Sequence, residues 1–377
     1  MERDVAVVLS GGAVNGVLME LGFLKRLRES DLWPRIGWIY GTSAGALCGT
    51  MAALDRLDEL EEFMFGLQPN DTFRPHSLWR LPLLGTHDYR LPETIDERVG
   101  SMTEMARELA VAPVELVVCA TDVTEVEHGG GARAFELTYS ARTTPPEIFA
   151  QAVLASAAIS ALVLPRPIGD RIATDGAWVR NFPLGLAYDQ PGVEMIVSFR
   201  YLPSYPRFSP AGLATLRRRL ERFPKIAPIR ALIAELREAE ERDARGEPAH
   251  WGDMIVRLMR VAVQQNTVLE ERAAIEKDQA LAALAALRED VAEIARREGG
   301  RRGARVAAAV DERFAAAKFP FQADRLVPRI DVSGSAGDVN LEAGLRNPKP
   351  WSDEAKVELI ARGYRMLDEE LRERAVA

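Results

Sequence analysis

Histidine and cysteine are scarce in this sequence, whose 377 residues include four histidines and two cysteines. Cys48 and Cys119 both lie in apolar stretches, so no disulfide framework is expected and a reducing compartment is favoured. Neither residue type occurs at a spacing typical of zinc ligands. We therefore expect neither a metal site nor a cofactor.

Long apolar runs and an excess of positive charge are also missing. The run Val5 to Leu9 is too short to span a bilayer, and the start Met-Glu-Arg-Asp lacks the features of a signal peptide. Lys and Arg total 48 against 56 Asp and Glu, and this net charge of −8 argues against nucleic acid as a main partner. The composition predicts a globular, cytoplasmic protein. It leaves peripheral membrane contact open and does not indicate an oligomeric state.

The most informative segment is Gly41-Thr42-Ser43-Ala44-Gly45, which reads G-x-S-x-G. It lies between the apolar run Ile36 to Tyr40 and a helical run of small residues, Ala46 to Leu54. A strand, a sharp turn and a helix in that order would hold the Ser43 hydroxyl on a strained elbow. The amino end of the helix would face any anion that forms there. The pattern predicts a nucleophilic serine, although an ordinary turn can have the same sequence.

A glycine-rich turn, Ser10-Gly11-Gly12-Ala13-Val14-Asn15-Gly16, follows the first apolar run and opens a helix. Backbone N–H groups in such a turn can face an anion. The dinucleotide fingerprint fails because Ala13 stands at its second glycine, and the P-loop fails because Val17 stands where Lys is needed. An oxyanion-binding turn is the interpretation that remains.

A third segment, Asp175-Gly176-Ala177, follows another apolar stretch and precedes Asn181-Phe182-Pro183. An Asp at a strand end can direct its carboxylate into a cleft. The alternative is a plain Asp-Gly turn, which is common.

Taken in order, the three segments resemble the patatin-like phospholipase family, whose pattern is G-G-G-x-[K/R]-G, then G-x-S-x-G, then D-G-[A/G]. Four further stretches match family segments: Ala120-Thr121-Asp122, Ala155 to Ile159, Asp175 to Pro183 and Lys356 to Leu367. The resemblance is strong over residues 5–200 and weak beyond. It implies a three-layer α/β/α fold with a mostly parallel central sheet. It also implies a serine esterase that cleaves acyl esters of lipids or phospholipids.

The resemblance assigns roles to particular residues. Ser43 and Asp175 would form a catalytic dyad without histidine, and the reaction would pass through an acyl-enzyme. The N–H groups of Gly11, Gly12, Ala13 and Ala44 would bind the oxyanion, with support from Asn15, Gly16, Gly41, Gly45 and Gly176. The histidines fit a dyad: His76, His87 and His128 precede Asp175, and His250 lies in a charged, surface-like stretch. His76 and His87 are expected to be solvated.

Two positions depart from the family pattern. Ala13 replaces the third loop glycine, which is tolerable if its φ is negative. Asn15 replaces the usual Lys or Arg and removes a cation near the oxyanion. These changes put the turnover rate in doubt more than the reaction type. They keep two alternatives open: an acyltransferase with the same dyad, and a lipid-binding scaffold with a weakened site.

The pattern of elements divides the chain into a catalytic α/β core (residues 1–200), a helical insertion or lid region (201–325) and a closing strand and helix (326–377). Apolar residues in the Pro-broken stretch 66–95 indicate either a lid or a loop packed on the core. Basic clusters at Arg217-Arg218-Arg219, Arg296-Arg297 and Arg301-Arg302 indicate anionic lipid binding or a solvated helix face.

Overall fold

The structure is a computed structural model that describes residues 3–76, 87–124, 135–160, 162–202, 217–218, 220–222, 227–245, 251–316, 327–341 and 350–376. The three motifs of the candidate site lie within these ranges. Some residues of the sequence-based predictions lie outside these ranges: Leu78, Trp79, Leu81, Pro82, Leu83 and Leu84 of the Pro-broken stretch, the histidines His128 and His250, and Arg219 of the first basic cluster.

The described residues form a central eight-stranded sheet and a small two-stranded antiparallel one. The central strands are β1 (Val5–Leu9), β2 (Ile36–Thr42), β5 (Glu115–Asp122), β6 (Glu136–Ser140), β7 (Arg166–Ile168), β8 (Arg171–Asp175), β9 (Met195–Tyr201) and β10 (Arg329–Gly334). The small sheet pairs β3 (Phe73–Pro75) with β4 (His87–Tyr89). The central order is β10-β9-β1-β2-β5-β8-β7, and β6 also pairs with β5.

The first five strands in that order are mutually parallel, while β6, β7 and β8 join by antiparallel pairing. Leu9 is opposite Gly41, and Thr42 is opposite Cys119. Because neighbouring parallel strands end at the same edge, the chain leaves β1 and β2 side by side. Asp175 reaches the same region because it pairs with Ala120.

Thirteen α-helices in the described part of the chain surround the sheet. They are α1 (Ala13–Arg28), α2 (Ala44–Ala53), α3 (Leu57–Gly66), α4 (Pro69–Thr72), α5 (Leu91–Arg98), α6 (Met102–Val111), α7 (Pro146–Ser156), α8 (Ala177–Arg180), α9 (Leu184–Asp189), α10 (Ala227–Ala244), α11 (Trp251–Glu298), α12 (Gly303–Ala316) and α13 (Asp353–Val376).

Alternation along β1 explains the three layers. Val5, Val7 and Leu9 belong to one apolar cluster, which includes residues of α1, α2 and α13. Ala6 and Val8 belong to a second cluster, which includes residues of α9 and α11. Successive strand residues point to opposite faces, so β1 is buried on both sides. This explains its unbroken apolar sequence.

Helices α1 and α13 cross with their backbones in contact. A Cβ atom added to Gly22 would lie 1.8 Å from the carbonyl oxygen of Ile360, and one added to Gly363 would lie 1.9 Å from that of Met19. Only glycine permits this approach. The crossing fixes α1, whose first residue belongs to the glycine-rich turn, against the last helix of the chain.

The carboxyl-terminal half is mainly helical, as the sequence predicts. The region 201–325, expected to be helical, contains the 48-residue α11. The strand expected near residues 325–332 is observed as β10, at the edge of the sheet beside β9. The three-part division of the chain stays a prediction. In the described residues, no helix combines the length and apolar character needed to cross a bilayer.

Candidate active site

Ser43 lies on a sharp turn between β2 and α2. Its backbone angles are φ 54° and ψ −113°, which are strained for a residue with a side chain. Glycine at positions 41 and 45 permits the turn, since a Cβ on Gly41 would lie 2.3 Å from the carbonyl oxygen of Gly45. The strand, turn and helix expected from G-x-S-x-G are therefore present.

The side chains of Ser43 and Asp175 meet although they are 132 positions apart in the sequence. The Ser43 hydroxyl donates to Asp175 Oδ2 at 2.8 Å, and both residues are 5% exposed. The other carboxylate oxygen, Oδ1, accepts the Ala177 N–H at 2.8 Å. Two hydrogen bonds thus orient the carboxylate toward the hydroxyl.

Burial raises the pKa of Asp175 from 3.8 to about 6 because a charged carboxylate loses hydration in this setting. The hydrogen bonds from Ala177 N–H and the Ser43 hydroxyl act in the opposite direction and lower the pKa. The result suits a general base that works near neutral pH.

Ser156, at the end of α7, is hydrogen-bonded to the Ser43 turn. Its hydroxyl accepts the Ser43 N–H at 2.9 Å and donates to the Cys119 carbonyl at 2.6 Å. It therefore connects the Ser43 turn to β5, next to the strand that carries Asp175. Sequence reasoning placed Ser156 only within a matching stretch, because a buried serine in an Ala-rich helix has no distinct signal.

The glycine-rich turn lies against Ser43. A Cβ added to Gly11 would come within 3.3 Å of the Ser43 Cβ, and Gly45 N–H donates to the Ser10 carbonyl at 3.2 Å. Among the described residues, no protein acceptor pairs with the N–H groups of Gly12, Ala13 or Ala44. These three donors belong to the two turns that meet at Ser43, and Ala13 and Ala44 line the same cavity as Ser43.

Gly11 differs from the expectation that its N–H would bind an oxyanion. That N–H donates to the carbonyl of Asn181 at 3.0 Å. A Cβ at this position would also lie 2.5 Å from Asn181 Oδ1. Gly11 thus joins the turn to the segment after Asp175.

Ala13 does not meet the condition of a negative φ, because its φ is +45°. The left-handed region costs a residue with a Cβ roughly 1–2 kcal/mol relative to the right-handed one. The Ala13 methyl is therefore accommodated with strain, and the backbone keeps a conformation that suits the family's glycine.

Asn15 is fully buried and directed away from Ser43. Its Nδ2 donates to Asn340 Oδ1 at 2.7 Å, and its Oδ1 accepts the Leu341 N–H at 3.1 Å. It links α1 to the segment after β10 and does not replace the family's cation near the oxyanion position.

Two of the predicted supporting glycines lie close to neighbouring backbone. The Gly16 N–H donates to the Gly12 carbonyl at 2.7 Å, and a Cβ added to Gly176 would lie 2.3 Å from the Cys119 carbonyl oxygen.

The prediction that His87 is solvated is wrong. Its side chain is buried, and its ring lies edge-on to Phe73 with 6.5 Å between ring centres. The pairing of β3 with β4 buries it, which the Pro-rich sequence did not reveal. His76, which follows Pro75 at the same end of the small sheet, is partly exposed.

An apolar cavity begins at Ser43 and follows α2. Ala44, Leu47 and Met51 line it at helical spacing, so it extends about 10 Å along that helix. The cavity has a volume of about 90 Å³. The cavity is therefore long and narrow. Its remaining walls come largely from α3, α5 and α6, including Phe63, Met64, Ile95, Met102 and Met105.

Comparison with known proteins identifies a related family. The family model described as Patatin-like phospholipase matches residues 7–188. VipD from Legionella pneumophila is a similar solved structure, with 14% sequence identity and a TM-score of 0.42 over 99% of this chain and 67% of that chain. A search of curated proteins found no match. The predicted family resemblance, the mostly parallel sheet between helical layers and the helical carboxyl-terminal region are confirmed.

Proposed function

Residues 7–188 belong to the patatin-like phospholipase family, and from this premise we propose that the protein hydrolyses lipid acyl esters through Ser43 and Asp175. The family supports lipid acyl hydrolysis in general. The observation that carries the finer proposal is the 2.8 Å contact between Ser43 Oγ and Asp175 Oδ2 at the end of a narrow apolar cavity.

In the proposed reaction, Ser43 Oγ attacks the ester carbonyl carbon while Asp175 accepts the hydroxyl proton. The N–H groups of Gly12, Ala13 and Ala44 stabilise the oxyanion, which is where preorganised donors contribute most. The carbon–oxygen bond to the alcohol then breaks, and Asp175 returns the proton to the leaving alkoxide. Water, deprotonated by Asp175, resolves the acyl-enzyme and regenerates the Ser43 hydroxyl.

The cavity along α2 would hold the acyl chain. A chain in this apolar, narrow space leaves water, and each buried methylene contributes about 0.8 kcal/mol. If this contribution is realised in the transition state, kcat/KM should rise about fourfold per methylene until the chain reaches the end of the cavity. This dependence fits a lipid ester and gives no advantage to a short-chain acetate.

The test is a series of p-nitrophenyl esters with acyl chains from two to sixteen carbons, assayed with the wild type and with Ser43→Ala. We expect kcat/KM to rise with chain length and Ser43→Ala to lose turnover. Leu47→Trp would fill the cavity near Ser43 and lower the ratio of long-chain to short-chain kcat/KM at least tenfold. Val111→Trp, at a position that is 85% exposed, is the matched control and should keep the wild-type ratio.

The alternatives from the sequence predict different results. A fluorophosphonate probe should label Ser43 in the folded protein, and failure to label would favour a lipid-binding scaffold. Products should be free fatty acids even with an added acceptor alcohol, whereas transfer to that alcohol would favour an acyltransferase. Within the described residues, the N–H groups of Gly12 and Ala13 have no protein acceptor, which supports a working oxyanion site over a weakened one despite the substitution at position 13.

A further inference from the structure

The long helix α11 contacts the catalytic region from the opposite layer of the fold. In its first half, Asn266 Nδ2 donates to the Ala177 carbonyl at 2.6 Å, and Asn266 Oδ1 accepts the Asn181 N–H at 3.1 Å. The next residue, Thr267, accepts the Asn181 side-chain amide at 2.9 Å. Helix α11 is therefore hydrogen-bonded to both ends of the segment 177–181, which comprises α8 and Asn181.

The segment 177–181 in turn touches each part of the proposed site. Ala177 N–H bonds the Asp175 carboxylate at 2.8 Å. The Asn181 carbonyl accepts the Gly11 N–H at 3.0 Å. The Arg180 carbonyl accepts the hydroxyl of Thr42, the residue before Ser43, at 2.8 Å. A displacement of this segment would move the base, the glycine-rich turn and the nucleophile relative to one another.

The segment cannot hold its own shape. Helix α8 has four residues, and a helix of that length is unstable without outside contacts. A second contact with α11 holds the segment: Arg180 forms an ion pair with Glu270, and Glu270 also accepts the Gly185 N–H at 3.1 Å. Arg180 additionally bonds Glu136 of β6 at 2.6 Å and 2.9 Å.

We propose that Asn266 is a positioning residue, whose side-chain amide holds the segment 177–181 so that Asp175 and the glycine-rich turn stay aligned with Ser43. This inference rests on the proposed function and names a residue outside the stretch 7–188 that matches the family model. Asn266 does not line the apolar cavity along α2. Its loss should therefore affect the chemical step and leave acyl-chain binding intact.

The experiment compares Asn266→Ala with Gln265→Ala, a neighbouring exposed position on the same helix. Turnover of a soluble p-nitrophenyl ester is measured per active site, which is counted by fluorophosphonate labelling. We expect Asn266→Ala to lower kcat at least tenfold with KM within twofold of wild type, since a misplacement of about 1 Å costs up to about 100-fold in rate. Gln265→Ala should match the wild type in both.

A second readout does not depend on activity. Hydrogen–deuterium exchange of peptides covering residues 175–182 should be faster in Asn266→Ala than in Gln265→Ala or the wild type. If Asn266→Ala does not fold, the test uses Thr267→Val in its place. Thr267→Ser is then the control, because serine keeps the hydroxyl that bonds Asn181 and valine does not. The same comparisons of kcat and exchange then apply.

An unchanged kcat per titrated site, or unchanged exchange of residues 175–182, would overturn the positioning role. An effect confined to KM would overturn it as well. A wild type without esterase activity or labelling would instead contradict the proposed function. The exchange data would still show whether Asn266 orders the segment.

Discussion

Replacing Asp175 by Asn should make the protein more stable at alkaline pH while abolishing its activity. Asn has the shape of Asp and can still accept the Ala177 N–H, so the hydrogen bonds around the position are largely retained. What changes is the charge. An Asn cannot take the Ser43 proton, and it carries no charge that must be buried.

The magnitude follows from the raised pKa of Asp175. Its folded value of about 6 lies above its ordinary value of 3.8, so the folded protein holds this proton more tightly than the unfolded chain. The carboxylate is therefore destabilising above pH 6, and the penalty is lost as the pH falls from 6 toward 3.8. A difference of about two pKa units corresponds to about 3 kcal/mol, which is the largest gain expected from Asp175→Asn at pH 8.

The assay is urea or thermal unfolding of both proteins at pH 5, 6, 7 and 8. The advantage of Asp175→Asn should be nearly constant above pH 6.5 and should shrink toward pH 5. Asp170→Asn is the matched control, because this nearby carboxylate is 94% exposed and should give little change at any pH. An Asp175→Asn protein that is no more stable than wild type at pH 8 would refute this account of the buried carboxylate.

Three further predictions concern activity and packing. The kcat/KM of the wild type should fall below about pH 6, because Asp175 must be ionised to accept a proton; a flat profile from pH 5 to 8 would exclude Asp175 as the base. Ala13→Gly should raise the free energy of unfolding by about 1 kcal/mol by relieving the positive φ, and a lower thermal midpoint would contradict the strain. Gly22→Ala should lower that free energy by about 3 kcal/mol, because the added methyl meets the backbone of α13. The exposed Gly66→Ala change has no close backbone contact and is its control in the same unfolding measurement.

Local sequence was sufficient to predict β1, β2 and the elbow between β2 and α2. Val5 to Leu9 is apolar at every position because both faces of β1 are covered, and this gives a signal that a single sequence displays. The G-x-S-x-G run predicts the turn at Ser43 because close approach excludes larger residues from its flanks. The helix α11 was also predictable, since strong helix formers dominate it.

Contacts between distant parts of the chain were not predictable in the same way. Asn266 bonds Asn181 across 85 positions, and nothing in the local pattern of α11 distinguishes it from the exposed Gln265. The direction of Asn15 depends on Asn340 and Leu341, which lie more than 300 positions away. The positive φ of Ala13 arises from the geometry of the turn, and alanine itself gives no sign of it.

The close crossing at Gly22 and Gly363 has a consequence for biosynthesis. Helix α1 begins at the turn beside Ser43, and its backbone partner is the last helix described, Asp353–Val376. A nascent chain that has not yet reached residue 353 lacks that partner, so one flank of α1 is uncovered at that stage of synthesis. The proposed ester cleavage should therefore depend on residues 353–376 having been made and packed against α1.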